Sequence, residues 1–154
     1  MTAQPQSSPL LSVRDLAVHF PIGGQAVVRA VDGVSFDLAR GRTLAIVGES
    51  GSGKTTTALS VLRLADPTGG RIEFDGTDLT ALRGTALRRM RRRLQLVFQD
   101  PYSSLNPRQR AGDIVRAPLD LMHIDPPGGR EARVALMFEL VGLRPEQRQL
   151  YPHQ

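Results

Sequence analysis

Nine consecutive residues, Gly48-Glu49-Ser50-Gly51-Ser52-Gly53-Lys54-Thr55-Thr56, have the types and spacing that hold a polyphosphate. The pattern is glycine, four residues, then Gly-Lys-Thr. Glycines let the chain turn its amide N–H groups inward around an anion, through conformations that a Cβ opposes. Lys54 brings an ammonium to the outer phosphates, and the Thr55 hydroxyl is placed to ligate a Mg²⁺ bridging them. Glu49, Ser50 and Ser52 are expected to act through their backbone N–H groups more than their side chains. Thr56 is expected on the α-phosphate side. Lys54 is also the one lysine among 20 basic residues, so a flexible point charge stands where a planar guanidinium would not fit. The expected ligand is a nucleoside triphosphate.

A loop of this kind needs a strand before it and a helix after it. Thr43 to Val47 is an apolar run that supplies the strand, and Lys54 to Ala65 has helix-forming character. A helix starting at the loop would also turn its positive dipole end toward the phosphates. Upstream, Leu10 to Phe20 alternates imperfectly through Val13, Leu16, Val18 and Phe20, which predicts a strand. Two further short strands are predicted at Ala26–Val31 and Val34–Leu38, so an antiparallel β layer precedes the first βα unit. Downstream, Asp66-Pro67-Thr68-Gly69-Gly70 is a stop, Arg71 to Asp75 a strand, and Gly76-Thr77-Asp78 a turn. Thr80 to Arg93 is predicted mostly helical and Leu94 to Phe98 a buried strand. Two prolines make Gln99 to Arg108 a loop. Helices are expected at Gln109–Met122 and Arg130–Val141, the latter with an apolar stripe of Val134, Met137, Phe138 and Val141 and a stop at Gly142.

Bulk composition fits one modest domain. The 154 residues are 40% apolar and 23% charged, as in a soluble globular protein. No run approaches the ~18 apolar residues of a membrane span. Met1 to Pro9 is polar and proline-containing, without an apolar signal core, which predicts a disordered leader and a cytoplasmic location. Absence of cysteine excludes disulfides and cysteine-ligated metals. A net charge of +5 suits an anionic partner such as nucleotide, nucleic acid or lipid headgroups.

Taken together, the Gly48–Thr56 loop, the Gln99 loop and the β-rich preface resemble the ATPase of ATP-binding-cassette (ABC) transporters. The wording Val97-Phe98-Gln99-Asp100-Pro101-Tyr102-Ser103-Ser104-Leu105-Asn106-Pro107-Arg108 is similar to the ATPase subunits of bacterial oligopeptide, dipeptide and nickel importers. Ala30 to Phe36 and Tyr151-Pro152-His153-Gln154 match that subfamily too. The resemblance covers residues 10 to 154. It implies an α/β fold with a P-loop NTPase core of ABC type, an N-terminal antiparallel β layer and the start of a helical subdomain. The expected division is a leader at 1–9, the β layer and P-loop core at 10–98, and the Gln99 loop with a partial helical subdomain at 99–154. The resemblance also implies that Gln99 reaches the Mg²⁺ and the attacking water and transmits nucleotide state to the membrane subunits. Phe20 lies where the family places an aromatic ring that stacks on adenine; a strand-end core phenylalanine is the alternative. Expected partners are ABC permease subunits, a second ATP-binding subunit as homo- or heterodimer, and indirectly an external solute-binding protein. The expected place is the cytoplasmic face of the membrane.

In the family, a segment like Tyr151-Pro152-His153-Gln154 leads into a Leu-Ser-Gly-Gly-Gln signature. Neither that signature, nor a second acid-bearing strand, nor the switch histidine is in this sequence. The chain is therefore expected to form the first half of a nucleotide-binding domain, to bind nucleotide without efficient turnover, and to expose apolar sheet edges that invite aggregation. Six arginines between Arg83 and Arg93 (83, 88, 89, 91, 92 and 93), with no acid between them, leave nucleic acid, anionic lipid or a solvated helical arm open. Nucleic acid is the least expected, because the segment has no aromatic residue for base stacking. His19 is expected at the surface, and His123 has no metal-ligand partner at suitable spacing.

Overall fold

A computed structural model describes residues 8–24, 26–100 and 104–154. Most of the expected leader, and Pro101, Tyr102 and Ser103 of the Gln99 loop, lie outside the described residues. The chain divides into two compact units, Met1–Gln95 and Leu96–Gln154.

The first unit is built on a four-stranded antiparallel sheet. Its strands are β1 (Leu11–Ile22), β2 (Ala26–Leu38), β3 (Gly69–Phe74) and the two-residue β4 (Thr77–Asp78), in the order β2-β1-β3-β4. The imperfect alternation of β1 has a structural cause. Asp15 adopts φ 47 and forms a bulge, so Val13 and Leu16 both face the core although they are three positions apart. Ser35 accepts the Asp15 amide at 2.8 Å. Gly70 presses against the bulge so closely that a Cβ would lie 2.4 Å from the Asp15 carbonyl oxygen. The two strands expected at 26–31 and 34–38 are one. Asp32-Gly33 is a bulge within it, where Gly33 takes φ 73 and two residues of β2 face one of β1. The predicted turn at Thr77-Asp78 is instead β4, which pairs with Glu73 and Phe74. Leu11, Val13, Leu16, Val18, Val31, Ile72, Phe74 and Leu79 make the core.

Helix α1 (Lys54–Val61) follows the loop and is shorter than the predicted Lys54–Ala65. It ends because Arg63 turns left-handed at φ 55, and the Arg63 and Leu64 amides close onto the Ser60 and Leu59 carbonyls at 2.9 and 2.8 Å. This six-to-one plus five-to-two pairing satisfies the last carbonyls of the helix. Arg91 completes the end by donating from Nε to the Leu62 carbonyl at 3.3 Å and from Nη2 to that of Arg63. A cation there also opposes the negative end of the helix dipole. Helix α2 (Gly84–Met90) and a 3₁₀ turn at Arg91–Arg93 replace the longer helix predicted at Thr80–Arg93.

Two predicted strands are not in any sheet among the described residues. Thr43–Val47 and Leu94–Phe98 run without ladder partners. Leu94 packs on the core, but Val47 and Val97 are 87% and 89% exposed. An apolar run becomes a strand only when a neighbour pairs with it, and neither segment finds one here. Leu44, Ile46, Val47, Val97 and Phe98 are exposed, in segments that belong to no sheet and not along the sheet edges expected.

The second unit packs α3 (Ala111–Leu121) on α4 (Gly129–Leu140) and a 3₁₀ turn at Pro145–Gln149. Of the stripe predicted on the second helix, Val134 and Phe138 are buried, whereas Val141 lies past the helix end and is exposed. Gly142 stops α4 at φ 77, with its amide on Glu139 and that of Leu143 on Phe138. An ionic network ties the helices. Arg116 bridges Asp120 and Glu131, and Arg130 bridges Asp120 and Asp125.

Asp75 clips the first unit together. Its two carboxylate oxygens take Arg40 at 2.7 Å and Arg93 at 2.5 Å, and the Arg93 guanidinium lies 5.0 Å from the Phe74 ring centre. Arg93 first, and then Arg40, hold this carboxyl below its usual range. A depressed folded pKa gives stability that is complete well above the unfolded value of about 3.9 and is lost as pH falls through the folded value. Thermal melts of Asp75→Asn should therefore lie below wild type at pH 7 and converge on it at the acid end of the stable range. An equal difference at both pH values would exclude the ionic contribution.

Candidate nucleotide site

The loop Gly48–Thr56 wraps onto the N-terminus of α1. Gly53 is the cap residue, left-handed at φ 87, and no side chain caps the helix. The first helical backbone bond runs from the Thr57 amide to the Gly53 carbonyl at 2.8 Å, and the Thr57 hydroxyl donates to the same oxygen at 3.0 Å. The amides of Lys54, Thr55 and Thr56 precede that bond and have no acceptor within the helix. They form a set of donors at the positive end of the helix dipole, which suits an anion.

Close packing holds Gly53 in place. A Cβ there would lie 2.1 Å from the Ala30 carbonyl oxygen and 3.5 Å from a Val31 methyl. The loop is thus seated on the backbone of β2. Gly51 is also left-handed, at φ 82, but nothing crowds it. Lys54 folds over the loop, and Nζ donates to the carbonyls of Gly48 at 2.9 Å and Glu49 at 2.6 Å, and to Ser52 Oγ at 3.3 Å. Its three donors are thereby held at the mouth of the ring, where phosphate oxygens would take over some of these bonds.

A cavity of about 250 Å³ opens here, lined by Gly51, Ser52, Gly53, Lys54, Thr55 and Thr56 together with Val28, Arg29 and Ala30. This is somewhat under the ~300–1,000 Å³ of sites that enclose a whole small molecule. The volume suits a phosphate chain held inside with a nucleoside on the open surface. Gly48, Glu49 and Ser50 complete the loop without lining the cavity.

The predicted site residues are brought together unevenly. Six of the nine loop residues line one cavity. Phe20 is half exposed and does not line it, but its Cα partner across the sheet is Val28, which does. Gln99 is exposed and belongs to the second compact unit. Val28, Arg29 and Ala30 were not expected at the site, because nothing in their local pattern marks them. Only the seating of the loop on β2 does.

Three of the six clustered arginines bond within the first unit, although only Arg91 among the six is partly buried. Arg83 donates to the Thr80 and Leu82 carbonyls, Arg91 to the end of α1, and Arg93 to Asp75. A second hollow of about 380 Å³ beside α2 is lined by Gly84, Thr85, Leu87, Arg88 and Arg91. Among the described residues no group of His, Cys, Asp and Glu could hold a metal, and no helix is long and apolar enough to cross a membrane.

Comparison with known proteins agrees with this geometry. A Brucella ovis protein named for peptide import and ATP binding is 46% identical over 147 residues, covering 96% of this chain and 46% of the relative. The glutathione import ATP-binding protein GsiA of Escherichia coli is 45% identical over 152 residues, covering 95% of this chain and 24% of GsiA. The chain thus spans about half the length of the first relative and a quarter of the second. The ATP-binding cassette MJ0796, solved as a dimer with ADP and Pi, superposes with a TM-score of 0.77 at 23% identity, covering 94% of this chain and 62% of that one. A second neighbour, cbiO1 of Clostridium perfringens, part of the ABC transporter complex cbiONQ, gives 0.73 at 23%, covering 96% and 55%. These two likenesses establish the fold. The ABC transporter family model matches residues 31–153, and the chain belongs to the ABC transporter family.

Proposed function

We propose that this chain is the ATP-binding part of an importer for peptides or related solutes. One observation carries the reading: Lys54, Thr55 and Thr56 of the first turn of α1 line one cavity together with Gly51, Ser52 and Gly53, in a loop seated against β2. Lys54 grips the outer phosphates, and Thr56 lies on the α-phosphate side. The Thr55 hydroxyl would hold Mg²⁺ within the first unit, and Gln99 keeps only the Mg²⁺ and water role that the family resemblance implies. Phe20 stacks on the adenine, a role supported by its pairing with Val28 at the cavity wall. Stacking of this kind contributes about 1 kcal/mol with no base-specific hydrogen bond, so selectivity among nucleotides is loose.

The relatives' names support peptide or glutathione cargo. ABC permease subunits, a second ATP-binding subunit and, indirectly, an external solute-binding protein complete the assembly at the cytoplasmic face of the membrane. In the proposed division, residues 10–98 hold nucleotide and residues 99–154 meet the permeases. The chain alone binds Mg·ATP without efficient turnover. Hydrolysis in this family needs a carboxylate to orient water and a signature loop to clamp the γ-phosphate, and each such group is worth about 10²–10⁴ in rate.

A chimera tests this. With residues 8–154 in place of the matching segment of the Brucella ovis relative, peptide uptake should return to cells lacking that ATPase. The same chimera carrying Lys54→Ala should not restore it. ATP hydrolysis by the chimera without peptide uptake would sink the cargo assignment. Turnover by the chain alone at the ordinary enzymatic rate of about 1 s⁻¹ or more would overturn the reading that it binds Mg·ATP without efficient hydrolysis.

A further inference from the structure

The cavity carries a cation on its strand wall as well as on its loop. Arg29 of β2 lines it beside Val28 and Ala30. Its side chain is 68% exposed and donates from Nη1 to Asp32 Oδ2 at 3.2 Å. Asp32 Oδ1 is also 3.2 Å from His19 Nε2, and His19 is the Cα partner of Arg29 on β1. His19 first, and then Arg29, hold the Asp32 carboxyl below its usual range. Exposed pairs of this kind contribute little to stability, so a stronger anion can draw the guanidinium away.

A triphosphate carries more negative charge than one ammonium and one helix end offset. Arginine offers a planar fork that meets phosphate oxygens in pairs, whereas Lys54 supplies a point charge. No acidic side chain lines the cavity. The near carboxylate is Asp32, which holds Arg29 at its wall. We propose that Arg29 is a second phosphate-binding cation of this site, for which Asp32 and the polyphosphate chain of the nucleotide compete. The inference rests on the reading of the Gly48–Thr56 loop as a nucleotide site.

Mg·ATP titrations of the full chain at low ionic strength separate the two. Loss of binding in Lys54→Ala establishes the underlying site. Equal affinity in wild type and Lys54→Ala removes that site, and the Arg29 assignment falls with it. Given the site, Arg29→Ala should bind about 5- to 20-fold more weakly, a charge-assisted hydrogen bond offset in part by the Asp32 contact given up for it, with a shallower dependence on salt. Arg29→Lys should recover part of the loss. Asp32→Asn should bind about two- to threefold more tightly by freeing the guanidinium, and that gain should vanish in the Arg29→Ala/Asp32→Asn double variant. Arg29→Ala within about twofold of wild type would overturn the proposal, twofold being far short of a charged hydrogen bond. So would a gain from Asp32→Asn that persists without Arg29.

Discussion

Alanine in place of Lys54 should weaken Mg·ATP binding about 100-fold, or roughly 2.7 kcal/mol, while leaving the melting temperature close to wild type. The magnitude follows from what the ammonium can do. It has three donors, held by the carbonyls of Gly48 and Glu49 and by Ser52 Oγ, and phosphate oxygens would exchange for some of them. Charge-assisted bonds contribute about 1.5–3 kcal/mol each, and the broken loop contacts offset part of that. The fold should tolerate the change because these contacts are exposed and lie within one loop. Lys54→Arg should lose nearly as much, since a planar fork cannot sit where a compact charge points into the ring. Isothermal titration with Mg·ATP reads both. Wild-type affinity in Lys54→Ala would remove the loop from the nucleotide site.

Gly53→Ala should have the largest effect on the fold. A methyl at this position would lie 2.1 Å from the Ala30 carbonyl oxygen, and the backbone stands at φ 87. Left-handed geometry alone costs an L-residue about 1–2 kcal/mol. The clash costs more, because the obstacle is backbone of β2 in the same hydrogen-bonded sheet and cannot rotate aside. A total of about 3 kcal/mol or more should lower the melting temperature by about 6 °C or more. Gly51→Ala is the control. It has nearly the same positive φ, 82 against 87, with nothing within 4 Å, so it should cost only the conformational part. Equal melting temperatures for the two variants would mean that the loop is not seated on β2. Because the same contact places Val28, Arg29 and Ala30 in the cavity wall, Gly53→Ala should also reduce nucleotide affinity.

Several features were legible in the sequence because their causes are local. The phosphate loop is nine residues in which glycine positions, one lysine and one hydroxyl are set by the needs of an anion, and each need acts within a turn or two. The end of α4 was equally readable, since Gly142 supplies the left-handed residue that closes the helix onto Phe138 and Glu139. The imperfect alternation of β1 was visible too, although its meaning, a bulge at Asp15 against Gly70, was not.

Tertiary structure decided what depends on residues far apart in the chain. Thr43–Val47 and Leu94–Phe98 look alike as apolar runs, yet a strand exists only where a partner pairs with it. The arginines between 83 and 93 look like a charged arm, yet Arg91 caps a helix 28 residues earlier and Arg93 reaches back to Asp75. Arg29 enters the cavity only because Gly53, 24 positions later, has no side chain to keep the loop off Ala30. Spacing within a turn dictates which backbone groups meet a ligand. Which side chains from other elements stand around it depends on the packing of the whole unit, and no short pattern records that.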